Sequence, residues 1–376
     1  MKLLKLSLLL ALMLPVTILA QTKATVTIQN NSALDRKETI VAIKWSSLLS
    51  SYPQIDTANF VVINPNTKKQ VPFQLEHKGN KAIQNLLVQL DIKAKSVVVL
   101  SIQKGKPEPV TAKTYARYVP ERMDDFAWEN DKIAFRAYGK ALEKTEGDAY
   151  GFDVWVKSTS KLVLNDRYKR NDYHIDHGDG LDYYHVGYTL GAGNMAPYVN
   201  DTIHYSGNYH HYKILDNGPL RSSFQLSYDI WNAGNIKVTA VKTISLDAGS
   251  QLNKIENTYT FDDKNPMPVV VGIIRRDKAG VIFLNEQQGI LGYWEPTFEK
   301  EGTTAVGVIL STPAKKMWVD KDQLLARTEV KNNEPIIYYT GAAWDKAGKF
   351  THSKQWMDYL DHFNQEIQNP LIVSVK

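Results

Sequence analysis

The stretch Phe224-Gln225-Leu226-Ser227-Tyr228-Asp229-Ile230 places an apolar side chain at every second position. Because successive side chains of a β-strand point to opposite faces, this period of two predicts a strand with one buried face. The same period recurs at Val26/Ile28, Val41/Ile43/Trp45, Val71/Phe73/Leu75, Leu86/Val88/Leu90/Ile92, Val98/Leu100/Ile102, Ile133/Phe135/Ala137, Phe152/Val154/Val156 and Ile236/Val238/Ala240. Many short strands with few helical patterns predict an all-β protein in which sheets pack on sheets.

The length of the chain and its turn signals predict two domains, since 376 residues exceed one average domain. Short strands separated by Asn30-Asn31-Ser32 and Asn64-Pro65-Asn66 predict an N-terminal β-sandwich over residues 22–105. The segment Lys104–Pro109, which contains glycine and proline, is typical of a linker. Residues 112–376 are predicted to form a larger antiparallel β-sandwich, similar to a supersandwich.

One helical pattern lies near the C-terminal end. Trp356, Leu360, Phe363 and Ile367 recur at intervals of four, three and four residues, which gives a single apolar stripe on a helix. We therefore predict a C-terminal helix that packs across a sheet or against the seam between the domains.

The first twenty residues have the pattern of a secretory signal peptide. Lys2 and Lys5 precede an apolar run from Leu6 to Leu14, and Ala20 provides a small residue before the predicted cleavage site. The run is short for a membrane span, so a retained signal anchor is the less favoured alternative. The chain has no cysteine and therefore no disulfide or lipid-attachment thiol. These features predict a periplasmic or secreted protein.

Composition restricts the class of partner. The net charge of +5 is dispersed along the chain, whereas nucleic-acid binding calls for a basic stripe, so no nucleic-acid partner is expected. Twenty tyrosines and eight tryptophans supply flat surfaces on which the apolar faces of sugar rings stack. A mild positive charge is compatible with an anionic small substrate such as a uronate. An oligosaccharide is the expected partner.

Two stretches carry an unusual density of reactive side chains. Tyr173–His185 contains three histidines, three aspartates, three tyrosines and two glycines, and Glu121–Asp131 is loaded with charged residues and a tryptophan. Such groups serve as general acids, general bases and hydroxyl donors, while glycine lets the backbone approach a ligand. A third segment, Asn208–Tyr212, again interleaves aromatic and imidazole rings. We expect these stretches to converge on one site for a hydroxyl-rich substrate.

Two reaction classes fit this set. Glycoside hydrolysis needs two carboxylates beside the scissile bond, and the stretches contain several. The β-elimination of a uronic acid instead needs a base for the proton beside the carboxyl group, an acid for the departing oxygen and a cation that binds the carboxylate. The excess of histidine and tyrosine favours elimination. The candidate catalytic residues are His174, Tyr184, Arg122 and His210, and the candidate substrate-binding residues are Asp125, Trp128, His177, Asp179, Asp182 and Arg170.

Other common catalytic motifs find little support. The sequence contains no G-x-S-x-G elbow and no H-E-x-x-H pair, which argues against a serine hydrolase and a zincin. The glycine-rich segment Gly187–Gly193 lacks the lysine of a phosphate loop and is interpreted as a tight turn beside the site. We expect no cofactor, and the sequence leaves open whether a divalent metal is bound.

A family resemblance rests on a succession of segments. They are Glu121–Asp131, Gly151–Lys157, Tyr173–Asp182, Asn217–Arg221 and Ser245–Ser250. In these segments the chain resembles an exported family of polysaccharide-utilising Bacteroidetes, long catalogued as a domain of unknown function. That family is similar to the oligosaccharide dehydratase of marine ulvan degradation. The resemblance implies a carbon-oxygen lyase that removes water from the terminal uronate. The alternatives are a polysaccharide lyase or a glycoside hydrolase on the same substrates, and a non-catalytic glycan-binding protein.

Overall fold

The computed structural model describes residues 23–376, and the predicted signal peptide over residues 1–20 lies outside this part. Strands dominate the described chain, and its longest helix is the one at the C-terminal end. The predicted all-β class, with sheets packed on sheets, is confirmed.

The N-terminal part is a small sandwich. Its elements are β1 (Lys23–Asn30), β2 (Arg36–Lys44), α1 (Trp45–Ser51), β3 (Phe60–Asn64), β4 (Lys69–Gln70), β5 (Phe73–Glu76), β6 (Asn85–Ile92) and β7 (Ser96–Lys104). Strands β2, β6 and β5 form one sheet, and β1, β7, β3 and β4 belong to the other. The alternating apolar residues of β1, β6 and β7 face each other in one core. Trp45 was predicted to continue a strand but begins α1, because its buried indole packs into the same core from a helix.

The rest of the chain contains β8 (Thr114–Val119), β9 (Asp125–Asn130), β10 (Ala134–Ala137), β11 (Asp153–Trp155), α2 (Leu164–Arg170), β12 (Ala192–Val199), β13 (Thr202–Ile203), β14 (His211–Asn217), β15 (Arg221–Ala233), β16 (Ile236–Asp247), β17 (Leu252–Phe261), β18 (Met267–Ile274), β19 (Val281–Asn285), β20 (Ile290–Trp294), β21 (Thr304–Leu310), β22 (Lys316–Val319), β23 (Gln323–Val330), β24 (Pro335–Trp344), α3 (Ser353–Gln368) and β25 (Ile372–Val375). An eight-stranded antiparallel sheet runs in the order β14-β15-β16-β17-β24-β21-β20-β19. The four-stranded sheet β11-β10-β9-β8 and the five-stranded sheet β13-β12-β18-β23-β22 share one apolar core with it.

Helix α3 packs on the opposite face of the eight-stranded sheet. Trp356 and Leu360, two members of the predicted stripe, are buried there, and the Trp356 Nε1 atom donates to the carbonyl oxygen of Val306 at 3.1 Å. Gly307 allows this close approach, since a Cβ atom at that position would lie 2.5 Å from Leu360 Cδ2. The predicted C-terminal helix is therefore present and lies across a sheet.

The last strand corrects the predicted extent of the larger sandwich. Strand β25 pairs with β1, with Val375 opposite Val26, and so completes the first sheet of the N-terminal sandwich. The range 112–376 had assigned it to the larger sandwich. A four-residue alternating segment carries no information about which sheet edge it completes, so this pairing is visible only in three dimensions.

Polar contacts join the two sandwiches. Arg221 at the start of β15 forms ion pairs with Glu76 of the N-terminal part at 2.8 Å and with Asp247 at 2.5 Å. The side-chain oxygen of Gln74 accepts hydrogen bonds from the backbone amides of Leu220 and Arg221. Because these groups are largely buried, they hold the sandwiches in one arrangement.

Candidate active site

Strands β9, β10 and β11 are buried on both faces, which explains why the site lies beside them. One face meets the eight-stranded sheet, and the other is covered by α2 and the loop that follows it. The N-terminal end of α2 is held by the buried carboxylate of Glu129, which accepts hydrogen bonds from the backbone amides of Val163 and Leu164. Lys157 pairs with the same carboxylate at 2.6 Å. This arrangement fixes the N-terminal end of α2 on the four-stranded sheet.

Many polar residues of that loop bind one another. The Asp176 side chain accepts from the backbone amides of Gly178 and Gly180, both of which have φ near +93°. Asp179 pairs with Arg167 and with Arg170. The candidate substrate-binding residues Asp179 and Arg170 thus contact each other and stabilise the loop itself. His177 pairs with Asp172 at 2.8 Å on the exposed side.

A cleft of about 430 Å³ opens between the loop and the turn that precedes β9. Arg122 projects from that turn, in which Met123 and Asp124 adopt left-handed φ angles of 52° and 62°. The residues that line the cleft are Arg122, Arg136, Tyr138, Glu146, Gly147, Asp148, Ala149, His174, Asp182, Tyr183, Tyr184, His185, Val186 and Gly187. The two polar stretches therefore meet, and Arg122, His174, Asp182 and Tyr184 share one cavity.

The floor of the cleft is built around the buried guanidinium of Arg136. Its Nη2 atom lies 2.6 Å from Asp153 and 2.9 Å from Asp182, and its Nη1 atom lies 3.7 Å from Asp125. The same group packs over the rings of Tyr138 and Trp155 at 5.1 Å. Three buried carboxylates surrounding one cation favour its charged form, and the pKa of Arg136 is raised well above its ordinary value despite the cost of burial.

The pKa values of two carboxyl groups in this cluster are also raised, which for an acid favours the neutral form. Burial raises the pKa of Asp125 to about 6, although the guanidinium groups of Arg136 and Arg122 oppose the shift. Burial and the neighbouring carboxylate of Asp182 likewise raise the pKa of Asp153. Arg122 donates from Nη1 to Asp125 at 3.2 Å, so the buried cluster also orients the arginine that lines the cleft.

His174 lies at the mouth of the cleft with 68% of its side chain exposed. Its Nδ1 atom is 2.8 Å from the backbone carbonyl oxygen of Asp182. Since a carbonyl oxygen can only accept, Nδ1 carries the hydrogen, and in the neutral ring Nε2 is the basic nitrogen. The backbone contact thus selects the tautomer that leaves Nε2 available.

The aromatic walls have different environments. Tyr184 is buried, donates its hydroxyl to the carbonyl oxygen of Gly191 at 3.3 Å and packs beneath Arg276 at 4.6 Å. Arg276 in turn pairs with the buried carboxylate of Glu295 at 2.7 Å, and burial raises the pKa of that carboxyl to about 7. Tyr138 lies beside both Arg122 and Arg136, and burial raises its pKa well above the ordinary value.

Six candidate residues are not among those that line the cleft, namely Asp125, Trp128, Arg170, His177, Asp179 and His210. Trp128, the predicted sugar platform, is in the sandwich core with its Nε1 atom donating to Asn253 at 2.7 Å, so no sugar can reach its ring. Its neighbours on β9 are buried on both faces, which the sequence pattern did not reveal. His210 is paired with Asp229 and lies 3.7 Å from Glu143, and it is not among the residues that line the cleft.

Sequence reasoning missed the centre of the site. Arg136 and Tyr138 lie on and just after the predicted strand Ile133/Phe135/Ala137, and neither was singled out. One signal was present, because an arginine alternates there with apolar residues of a strand, and arginine is rarely fully buried unless it is paired. In residues 23–376, no group of three or more histidine or acidic side chains is arranged to hold a metal ion.

Comparison with known proteins gives a family. A model described as a domain of unknown function, DUF4861, matches residues 28–373. The chain belongs to the DUF4861 family. A relative, uncharacterized protein P7 from Formosa agariphila, is 34% identical over 300 residues, which cover 75% of each chain. The predicted resemblance to a family of unknown function is thereby confirmed.

A solved structure with a similar fold comes from Enterococcus faecalis. It is a protein in glycosyl hydrolase family 38 from Enterococcus faecalis, with a TM-score of 0.56 and 10% identity, and the match covers 95% of this chain and 48% of that chain. The DUF4861 protein spans about half the length of that structure. In the described part of the chain, no helix has the length and apolar character needed to cross a bilayer.

Proposed function

We propose that this DUF4861 protein is an exported enzyme that acts on uronate-containing oligosaccharides by β-elimination, and that it removes water from the terminal uronate. The observation that carries the proposal is the pairing, in one cleft, of an oriented arginine with a histidine whose basic nitrogen is free. These are two of the three groups that elimination beside a carboxylate requires, the base and the cation.

Arg122 is suited to bind the uronate carboxylate. Its Nη1 atom is held by Asp125, which fixes the plane of the guanidinium while other N–H groups remain available at the cleft. A carboxylate accepts two such donors in the plane of an arginine. Neutralising the carboxylate lowers the cost of the negative charge that develops when the adjacent proton leaves.

His174 is suited to take that proton through Nε2. Proton removal leaves an electron pair that forms the double bond between carbons 4 and 5, as the oxygen on carbon 4 departs. The Nδ1 atom of the imidazolium that results lies 3.7 Å from the carboxyl group of Asp182. The proton is then passed to solvent, since most of the His174 side chain is exposed.

Tyr138 is suited to protonate the departing oxygen. Tyr138 lines the cleft beside Arg122 and Arg136, and a tyrosine hydroxyl is protonated at neutral pH and can donate. Tyr184 was the candidate from the sequence, but its hydroxyl already donates to Gly191. The hydroxyl of carbon 4 leaves as water with the proton from Tyr138, and the tyrosinate then takes one proton from solvent, which equals the one that His174 releases, so the reaction is balanced.

A glycoside hydrolase is the second candidate function, because Glu146 and Asp148 add two carboxylates to the cleft that are not paired with an arginine. Paired carboxylates are the requirement for that reaction. Incubation with uronate-terminated oligosaccharides separates the candidates. Elimination produces an unsaturated uronate with a new ultraviolet absorbance, whereas hydrolysis produces new reducing ends without it. A protein that binds the oligosaccharide and produces neither is a binding module, and the enzyme proposal then fails.

A further inference from the structure

An exposed aromatic ring packs against one residue of the cleft wall, and the proposed chemistry does not use it. Phe298 lies in the connection between β20 and β21, and 54% of its surface is exposed. One face of its ring stacks on Tyr183, with ring centroids 5.9 Å apart and planes inclined by 26°. Tyr183 itself lines the cleft. A near-parallel stack leaves the outer face of Phe298 open to solvent.

The connection that carries Phe298 is held to the body of the protein. The backbone amide of Phe298 donates to the carbonyl oxygen of Gly302 at 2.8 Å, and the indole of Trp344 donates to the carbonyl oxygen of Glu301 at 2.8 Å. The Tyr183 hydroxyl accepts from Thr304 at 2.7 Å, which fixes the ring beneath. An exposed phenylalanine that is this well anchored has no evident role in packing, and its hydration is unfavourable.

We propose that Phe298 is a binding platform for the sugar ring attached to the uronate, stacked through the apolar C–H face of that ring. The proposal rests on the proposed function in one respect, namely that the uronate occupies the neighbouring cleft. A flat apolar ring beside a polar cleft matches a substrate with an anionic terminal ring and a neutral hydroxylated neighbour. The platform makes the site selective for oligosaccharides over single uronates.

Calorimetric titration tests this with two probes, a methyl glycoside of a uronic acid and a disaccharide that carries the same uronate at its non-reducing end. We expect wild type to prefer the disaccharide, and Phe298→Ala to reduce affinity for the disaccharide roughly threefold to tenfold while affinity for the glycoside is unchanged. Phe298→Tyr keeps the ring and should retain the preference. Tyr212→Ala is the matched control, since Tyr212 is an exposed ring stacked on Tyr118 outside the cleft lining.

The platform is refuted if Phe298→Ala binds the disaccharide as tightly as wild type, if it loses affinity for both probes equally, or if wild type shows no preference. Binding does not depend on chemistry, so a wild-type protein that shows the preference without forming unsaturated product refutes the proposed reaction and leaves the platform in place. Thermal unfolding of each variant checks that the fold is intact.

Discussion

The Nδ1 atom of His174 lies 2.8 Å from the backbone carbonyl oxygen of Asp182, a contact that assigns the ring hydrogen to Nδ1 and leaves Nε2 basic. We expect His174→Ala to lower turnover by the ~10²–10⁴ typical of losing a general base, with unchanged thermal stability because the side chain is exposed. His177→Ala is the matched control, since that histidine belongs to the same loop but pairs with Asp172. Wild-type turnover in His174→Ala would exclude this residue as the base.

Arg122→Ala should weaken substrate binding and turnover together, because a carboxylate clamp acts in both the ground state and the transition state. The loss of one charged donor pair predicts a fall of roughly 10- to 100-fold in kcat/KM. Steady-state kinetics on a uronate-terminated oligosaccharide measures it. Arg170→Ala removes an arginine that pairs with Asp179 and should leave kcat and KM near their wild-type values. A change in KM that is equal in the two variants would argue against the clamp.

Tyr138→Phe tests the proposed acid while keeping the ring that packs against Arg136. Turnover should fall by roughly 10²-fold or more, and KM should change little. The same substitution at Tyr184 removes a hydroxyl that donates to the carbonyl oxygen of Gly191. Its main effect should therefore be a lower thermal stability, with only a small loss of turnover. If Tyr184→Phe abolishes turnover and Tyr138→Phe does not, the acid is Tyr184.

Asp125 predicts a pH dependence of stability. Its pKa is raised from the ordinary 3.8 to about 6 on folding, so the folded protein holds this proton more tightly than the unfolded chain. The corresponding stabilisation is present below pH 4 and is lost as the pH rises to about 6, by an amount on the order of 3 kcal/mol. The free energy of unfolding of the Asp125→Asn variant, measured with urea at several pH values between 4 and 6, should lack this part of the decline. An unchanged pH profile would contradict the shift.

Lys242 predicts the opposite trend at higher pH. It is buried in the sandwich core, where its ammonium donates to Asn194 and lies 4.5 Å from the ring of Tyr228. Burial lowers the pKa of Lys242 to about 7. Between pH 7 and pH 10 the lysine is neutral in the folded protein and still protonated in the unfolded chain, so the free energy of unfolding should rise with pH. Lys242→Met should flatten this rise in thermal unfolding. Equal slopes in the two proteins would show that Lys242 remains charged in the fold.

The sequence allowed much of the fold to be predicted where one face of a strand is polar. The alternation in residues 224–230 and 236–240 corresponds to β15 and β16, and the stripe through Trp356 and Leu360 corresponds to α3. Strands that are buried on both faces give no such signal. Asp125–Asn130 is a buried strand, yet its charged residues made it resemble a polar loop.

The candidate site was predictable only in its outline. Side-chain chemistry brought Arg122 and His174 into consideration, but it could not distinguish residues that line the cleft from residues that hold the loop together. Asp179 and Arg170 have the same chemical types as the groups in the cleft and are engaged with each other. Arg136 was missed because its role depends on three carboxylates from separate parts of the chain, Asp125, Asp153 and Asp182.

Dehydration removes water from the terminal uronate and leaves the oligosaccharide chain intact, and mass spectrometry of the product distinguishes this outcome from cleavage. A uronate-terminated oligosaccharide incubated with wild-type protein should give a product of unchanged chain length whose mass is lower by one water, and His174→Ala should give none. Two shorter products, one of them unsaturated, would indicate a polysaccharide lyase. Shorter products whose combined mass has increased by one water would indicate hydrolysis, and either result would contradict the proposed dehydration.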